Sequence, residues 1–306
     1  MIQSPLNYTG GKYKLLPQIL PLFPNKIDTF VDLFCGGCNV GINVTCNRVI
    51  YNDLNENLLY LYNTFKNLEK QSVLEWIFQI IEKYDLSLVS KYGYEHYNCE
   101  SSTGLGEYNR EKFLKLRADF NEKRAKGIID YYYYVMLYVI IVYAFNNQIR
   151  FNSNGDFNLP VGKRDFNKKM EQKLCAFIEK IQQQNCSFTC YDFRDFDISE
   201  LDGDDFVYID PPYLITCATY NEQGGWGEND EKDLLDFLDK LHNKGVKFAL
   251  SNVLRSKGKE NQILIKWVND NQNKYRVIPL NYSYSNSNYQ TKDKTSQSEE
   301  VLIINY

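Results

Sequence analysis

An α/β fold is predicted by three features of the chain: short apolar runs of β-formers, helical periodicity between them, and glycine or acid turns where the runs end. The clearest run is Val207-Tyr208-Ile209-Asp210-Pro211-Pro212-Tyr213. Its first three residues read as a buried strand, which Pro211 and Pro212 end by fixing φ and removing backbone donors. Open α/β sheets place ligands at the carboxyl ends of strands, where this turn holds one carboxylate and one ring. The Asp210 carboxylate and the Pro211 carbonyl can accept from an exocyclic amino group, and Tyr213 can stack on a planar base. A strand-terminating turn with a helix-capping Asp is the bland alternative for these residues alone.

Each element follows from its residues in turn. Tyr8, Gly10, Gly11 and Lys12 precede an apolar helical pattern. A strand-like run from Phe30 to Phe34 empties into Gly36-Gly37, and a second strand, Val49 to Tyr51, ends at Asn52-Asp53. Helical periodicity dominates from 62 to 92, with Leu74, Ile77, Phe78 and Ile81 on one face. Residues 98–109 are small, polar and Gly-containing, hence a loop. Asp130 to Phe145 is an aromatic-aliphatic helix, and Phe151 to Lys163 has the turn character and alternation of a hairpin. From Met170 a helix leads to a strand at Ser187 to Tyr191, then to the Val207 strand. A helix at 230–243 and a strand from Val246 to Leu250 come next. Strands near 276–284 and 300–305 flank the polar loop 285–298. The expected organisation is a catalytic domain of residues 1–61 and 171–306, interrupted by a mainly helical insertion at 62–170 that carries the hairpin.

Composition narrows the function classes. The 306 residues are 43% hydrophobic, enough for a sizeable core, yet no apolar run approaches 18 residues; the longest, Val135 to Phe145, is a buried helix at most. The amino terminus lacks a basic stretch followed by an apolar signal core, so the eight cysteines are expected reduced, in a cytoplasm. Cys35-x2-Cys38 has zinc-like spacing but lies in the glycine turn with no second pair, so no metal is expected. With only His96 and His242, histidine-based nucleophilic catalysis is poorly supported.

The net charge of −4 argues against a strongly basic nucleic-acid binder without excluding a local field. Arg110, Lys112, Lys115, Arg117, Lys123, Arg124 and Lys126 alternate with acids and read as a solvated helix face. Lys163, Arg164, Lys168, Lys169 and Lys173 have only Asp165 nearby and read as phosphate-facing. A third group is Arg255, Lys257 and Lys259.

Strand, glycine turn, helix and strand-to-acid, in this order before Asp-Pro-Pro-Tyr, resemble the D12 class of DNA adenine-N6 methyltransferases, the family of the Dam enzymes. The likeness extends to Arg150-Phe151-Asn152 with Gly155 to Pro160, to Leu250-Ser251-Asn252 and to Glu299-Glu300-Val301-Leu302, and is weakest from 62 to 140. It implies a Rossmann-like S-adenosylmethionine-dependent methyltransferase sheet with an inserted target-recognition domain. It also implies Tyr8, Lys12, Asp32, Gly36, Asp53, Asp192, Phe193 and Asp210 at S-adenosyl-L-methionine, with Asp210, Pro211, Pro212 and Tyr213 catalytic. Where the family often has Glu-Pro-Phe, this chain has Asp32-Leu33-Phe34, which keeps the acid.

The resemblance further implies double-stranded DNA as partner, a flipped adenine as target, and a monomer, with a cognate restriction endonuclease acting separately. Phe145, Asn146, Gln148 and Arg150 align with the segment that meets bases, and Lys163, Arg164, Lys168 and Lys169 follow it. Gln148 replaces an apolar residue common in Dam enzymes, so a GATC target is not assumed. Alternatives stay open: N4-cytosine methylation, a silent DNA-binding relative, or a nicotinamide enzyme using the glycine turn. The Gly36, Gly37 and Gly41 spacing is not that of a dinucleotide fingerprint.

Overall fold

In the computed structural model, which describes residues 1–8, 10–216, 225–281 and 298–306, contacts divide the chain into two units. In chain order the first elements are α1 (Leu16–Ile19), β1 (Thr29–Asp32), β2 (Arg48–Asn52), α2 (Glu56–Asn67), α3 (Lys70–Lys83), α4 (Val89–Tyr92), α5 (Gly106–Ala125) and α6 (Tyr131–Tyr143). There follow α7 (Lys168–Gln183), β3 (Cys186–Thr189), β4 (Phe206–Ile209), α8 (Glu228–Lys244), β5 (Lys247–Ser256), β6 (Lys259–Glu260), α9 (Gln262–Asp270), β7 (Arg276–Leu280) and β8 (Glu299–Ile304).

The sheet unit comprises Lys12–Cys35, Asn43–Leu54 and Asn185–Tyr306. Its strands run β3-β2-β1-β4-β5-β8-β7, with β6 paired to β5. The five strands from β3 to β5 are parallel, and β8 lies antiparallel between β5 and β7. Strand order reverses between β1 and β4, the place in open α/β sheets where ligands bind at the carboxyl ends. Alternate residues of these strands reach opposite faces. On one face Phe23 packs against Phe206 at 4.7 Å and against Tyr208 at 5.7 Å between ring centroids. On the other, Val31, Val207, Phe248 and Leu250 are buried with Leu234, Leu238 and Leu241 of the amphipathic α8. Burial on both faces explains why β4 reads as a continuous apolar run.

The helical unit comprises Met1–Gly11, Gly36–Ile42 and Asn55–Gln184. The α6 sequence is apolar all round and accordingly forms the unit's buried axis. Asp130 caps it by accepting from the Tyr133 N–H at 2.8 Å. Phe120 stacks on Tyr133 at 4.3 Å, and Phe65 meets Tyr138 edge-on at 5.6 Å. Because α2 and α7 pack here too, with Tyr62 against Phe177 at 5.5 Å, this unit reaches beyond the 62–170 read from sequence. Among the described residues no helix is long and apolar enough to cross a membrane.

Several elements differ from expectation. The hairpin expected at 151–163 is confined to 150–158, around a turn with Gly155 left-handed at φ 80°. There Phe151 bridges Phe157, the Asn152 N–H donates to the Asp156 carbonyl and the Asn158 N–H to the Arg150 carbonyl; beyond it Val161 bridges Ala144 instead. The buried face of α3 runs through Val73, Ile77, Ile80 and Ile81; Leu74 is only partly buried and Phe78 is exposed. Helix α5 starts at Gly106, so it takes the end of the expected loop. Strand β5 continues to Ser256, where the Lys257-Gly258 turn folds it onto β6. Residues 282–284 of one expected strand, and 285–297 of the polar loop, lie outside the described residues.

Candidate active site

The parallel strands β1 to β4 each lead into a candidate residue at or just past the carboxyl end. Strand β1 ends in Asp32, 2% exposed, aligned with Tyr51 on one side and Tyr208 on the other. Strand β2 ends at Asn52, followed by the half-buried Asp53. Asn52 is itself an organiser that sequence reading passed over. Its amide donates to the Leu33 carbonyl at 3.0 Å and the Tyr191 carbonyl at 2.9 Å. Its oxygen accepts from the Thr189 hydroxyl at 2.9 Å and the Tyr191 N–H at 3.0 Å. Four bonds therefore tie the ends of three strands together, and with them the placement of Asp53 and of the Asp192-Phe193 segment.

Asp192 and Phe193 are held more tightly than their sequence announces. Arg194 pairs with Asp192 at 3.1 Å, Asp230 at 2.6 Å and Asp233 at 2.7 Å, and lies 4.5 Å over the Phe193 ring. The ring is 3% exposed and packs against Phe34 at 5.7 Å and Trp226 at 5.7 Å. Trp226 is anchored by Glu231, a fully buried carboxylate. The indole N–H donates to Glu231 at 2.7 Å, while the Asn261 and Asn252 amides donate at 2.7 and 3.3 Å. Burial raises the Glu231 carboxyl above its ordinary range, against the opposing pull of these three donors. Asn252 belongs to a quoted motif, whereas Glu231 gave no sequence cue beyond an acid on a predicted helix.

The centre of the site lies past β4. Asp210 Oδ1 accepts from the Tyr213 hydroxyl at 2.9 Å and pairs with Lys12 Nζ at 2.9 Å. Among the described residues none donates to Oδ2. Lys12 is 4% exposed and sits 4.9 Å from the Tyr213 ring centroid. Sequence reading gave Lys12 to the cofactor and Tyr213 a stacking ring; the structure adds that both hold Asp210. A second acid joins them: Glu300 on β8, 1% exposed, lies 3.8 Å from Lys12 Nζ and accepts from Tyr213 at 3.4 Å. Beneath them Tyr208 shares a hydrogen bond with Ser251 at 2.7 Å. Its burial, with the charges of Asp210, Asp32 and Glu300 nearby, pushes its phenol well above the ordinary value.

The remaining candidates belong to the helical unit. Gly36 takes φ 44°, and a side chain there would start 2.7 Å from the Tyr8 ring, so the ring can lie on the turn only because residue 36 is glycine. Phe145 is 49% exposed, followed by two left-handed residues, Asn146 and Asn147. Asn147 stabilises this bend by accepting from Asn7 at 3.0 Å and donating to the Val142 carbonyl. Gly162 lets the next segment approach, since a Cβ would meet the Ala144 carbonyl oxygen at 2.4 Å. Arg150 is exposed, but its guanidinium is partly spent on Asn158, at 2.7 Å to the side chain and 3.3 Å to the carbonyl. Asp156 pairs with Arg124 at 2.8 Å, not with Arg150. Lys163, Arg164, Lys168 and Lys169 are exposed. Asp165 among them is 3% exposed and accepts from the Val89 N–H, so it faces away from that basic group.

Comparison with known proteins agrees with this geometry. The family model described as D12 class N6 adenine-specific DNA methyltransferase matches residues 8–295. The Type II methyltransferase M.FokI of Planomicrobium okeanokoites is 43% identical over 311 aligned positions, covering 100% of this chain and 43% of that protein. The modification methylase StsI of Streptococcus sanguinis is 40% identical, also over 100% of this chain and 43% of its own length. A DNA adenine methylase of Salmonella typhimurium is 29% identical over 81% of this chain and 79% of its own. The chain thus spans less than half the length of the first two relatives and most of the third. With a reversing parallel sheet that ends in Asp210-Pro211-Pro212-Tyr213 and a family match over nearly its whole length, the chain belongs to the D12 class of N6 adenine-specific DNA methyltransferases.

Proposed function

We propose that the chain transfers a methyl group from S-adenosyl-L-methionine to N6 of a flipped adenine in double-stranded DNA. One observation carries the reading: Asp210 holds Oδ1 against Lys12 and Tyr213, and among the described residues none donates to Oδ2, which with the Pro211 carbonyl is assigned to the amino group. The N6 lone pair is delocalised into the purine and is a poor nucleophile. Two fixed acceptors hold the amino protons, favour a pyramidal nitrogen and stabilise the positive charge that develops there. A fixed Tyr213 offers its ring to the extruded base.

The donor set fits the cofactor. Asp53, half-buried at a strand end, suits a ribose diol; Asp32 suits the methionine ammonium; Phe193, walled by Phe34 and Trp226, suits the edge of the purine. Asp192 accompanies Phe193 in that role, and Tyr8 and Gly36 keep the cofactor role that their sequence motifs imply. When bound, the cofactor supplies an electrophilic methyl on a sulfonium.

In the helical unit, Phe145, Asn146, Gln148 and Arg150 are assigned to base contact. Lys163, Arg164, Lys168 and Lys169 are assigned to phosphates. Two lysines in the first turn of α7 oppose the helix dipole, a tension that an anion would relieve. As M.FokI is a Type II methyltransferase and StsI a modification methylase, we assign a modification role, in a monomer working in the cytoplasm apart from any cognate restriction endonuclease.

The test is incubation with duplex DNA and labelled cofactor, then digestion to nucleosides and sequencing of the modified sites. N6-methyladenine is the expected product. N4-methylcytosine would transfer the reading to the other base, and cofactor binding with no methylated nucleoside would leave a silent relative.

A further inference from the structure

Two members of the basic group on α5 do not lie on the solvated face read from sequence. Arg117, Asn121 and Arg124 follow one another at i, i+4 and i+7 and are half-buried, whereas Lys115, Ala118 and Glu122 beside them are exposed. The stripe grips one stretch of chain. Arg117 donates to the Leu159 carbonyl at 2.7 Å, and Arg124 pairs with Asp156 at 2.8 Å. Between them Asn121 donates to the Phe157 carbonyl at 3.2 Å and accepts from the Phe157 N–H at 2.9 Å. The lengths match, since seven residues of helix and three of extended chain each span about 10 Å. Gly155 lets the Arg124 guanidinium close in, because a Cβ would meet Nη1 at 2.8 Å.

Backbone alternation aims this clamp at Arg150. Phe157 and Leu159 bond to α5, while Asn158 between them bonds to Arg150 on the opposite edge. The Asn158 N–H donates to the Arg150 carbonyl at 3.2 Å. The Asn158 side-chain oxygen accepts from Arg150 Nε at 2.7 Å, and its carbonyl accepts from Nη2 at 3.3 Å. Side chains of α5 thus take the place of a third strand. The exposed guanidinium is held along one edge, and among the described residues Nη1 has no partner.

We propose that Asn158 is a positioning residue for sequence recognition, anchored through Arg117, Asn121 and Arg124 of α5, and that it fixes the Arg150 guanidinium before DNA arrives. It rests on the base-contact role proposed above for Arg150 and adds residues that act through that side chain. A free arginine loses its rotamer freedom on binding, whereas one already held by two hydrogen bonds loses less. The gain goes to the base pair whose acceptors match the held orientation. Such a clamp supplies discrimination rather than overall affinity.

The whole chain is tested on its own target duplex, found by sequencing the sites it methylates, and on duplexes changed at one base pair each. Arg150→Ala first identifies the base pair that Arg150 reads. Asn158→Ala and Asn121→Ala should then lower discrimination at that base pair about 2–10-fold, the share expected from ordering one long side chain, and leave other positions alone. Affinity for S-adenosylmethionine, by calorimetry, should hold. In the Arg150→Ala background neither substitution should change discrimination further. In NMR spectra of the DNA-free chain the Arg150 Nε–H should exchange slowly with solvent, and faster once Asn158 or Asn121 is replaced. An equal loss on every duplex, or the same loss again in the Arg150→Ala background, overturns the proposal. Should Asn121→Ala fail to fold, Asn121→Asp keeps the acceptor for the Phe157 N–H and removes the donor to its carbonyl. The same loss is expected there, and wild-type discrimination in it and in Asn158→Ala overturns the proposal. Should the chain methylate no DNA, or Arg150→Ala relax no base pair, the earlier reading fails by itself. The Nε–H signal then decides the clamp: protection that Asn158→Ala abolishes upholds it, and no protection overturns it.

Discussion

Asp210→Asn should leave the protein folded and abolish most of its methyl transfer, whereas Asp210→Ala should damage both. In the native site Oδ1 meets Lys12 Nζ at 2.9 Å and the Tyr213 hydroxyl at 2.9 Å, and in the proposed function Oδ2 accepts from the amino group. Asparagine can place its carbonyl oxygen where Oδ1 was and keep both donors. Exchanging a charge-assisted bond for a neutral one should cost about 1 kcal/mol of stability. Its NH2 then occupies the Oδ2 position and presents a donor to a donor, with the negative charge gone. Removing one preorganised acceptor lowers rates by ~10²–10³, about 2.7–4 kcal/mol of barrier, and the reversed polarity puts this variant at the upper end. Alanine removes both acceptors and leaves Lys12, 4% exposed, with Glu300 at 3.8 Å. Breaking a buried pair on one side costs about 3–5 kcal/mol. Single-turnover transfer to duplex DNA and urea unfolding measure the two effects. Asp210→Asn transferring within about fivefold of the native rate would refute the catalytic role. Alanine unfolding at the native urea midpoint would refute the claim that Asp210 neutralises Lys12.

Three further outcomes are expected. Asp53→Ala should weaken cofactor binding by about 1.5–3 kcal/mol, leaving DNA affinity intact; calorimetry and DNA titration compare the two. Arg150→Ala should relax specificity at one base pair by about 1–3 kcal/mol, while Lys168→Ala with Lys169→Ala weakens all sequences and flattens the salt dependence. Competition among single-base-pair variants reads this, and a uniform loss for Arg150→Ala would reduce that residue to its bond with Asn158. Glu231→Ala, which leaves three buried donors unanswered, should cost about 3–5 kcal/mol in denaturant unfolding. Burial raises Glu231 above 4.5, so the folded chain holds that proton at a pH where the unfolded chain has lost it. The resulting stability is present below pH 4.5 and lost as pH rises through the folded value. Glu231→Gln should remove that part of the pH dependence, seen as a flatter native-minus-variant curve.

The sequence by itself determined the local pieces: apolar runs, the glycine turn at Gly36, the proline-bounded acid at Asp210, and the fully apolar α6. Those depend on backbone sterics and on burial averaged over a few residues, which composition and spacing record directly. The family likeness rested on the same local motifs and named Asp210 and Asp53 without any contact being known. Tertiary structure alone decided what each group touches. Lys12 and Asp210 meet because the chain enters the sheet beside a strand that comes far later in sequence, and Glu300 joins them from the last strand. Asn52 and Glu231 become organisers only once burial removes water and obliges each buried polar atom to find a partner. The hairpin expected at 151–163 was shortened, not lost, by a tertiary contact. Alternation predicts a ladder through 163, but past Asn158 the chain turns to Ala144, where Val161 bridges it and Gly162 admits the close approach. Partners distant in sequence are chosen by strand order and packing, and neither is encoded in any single stretch of residues.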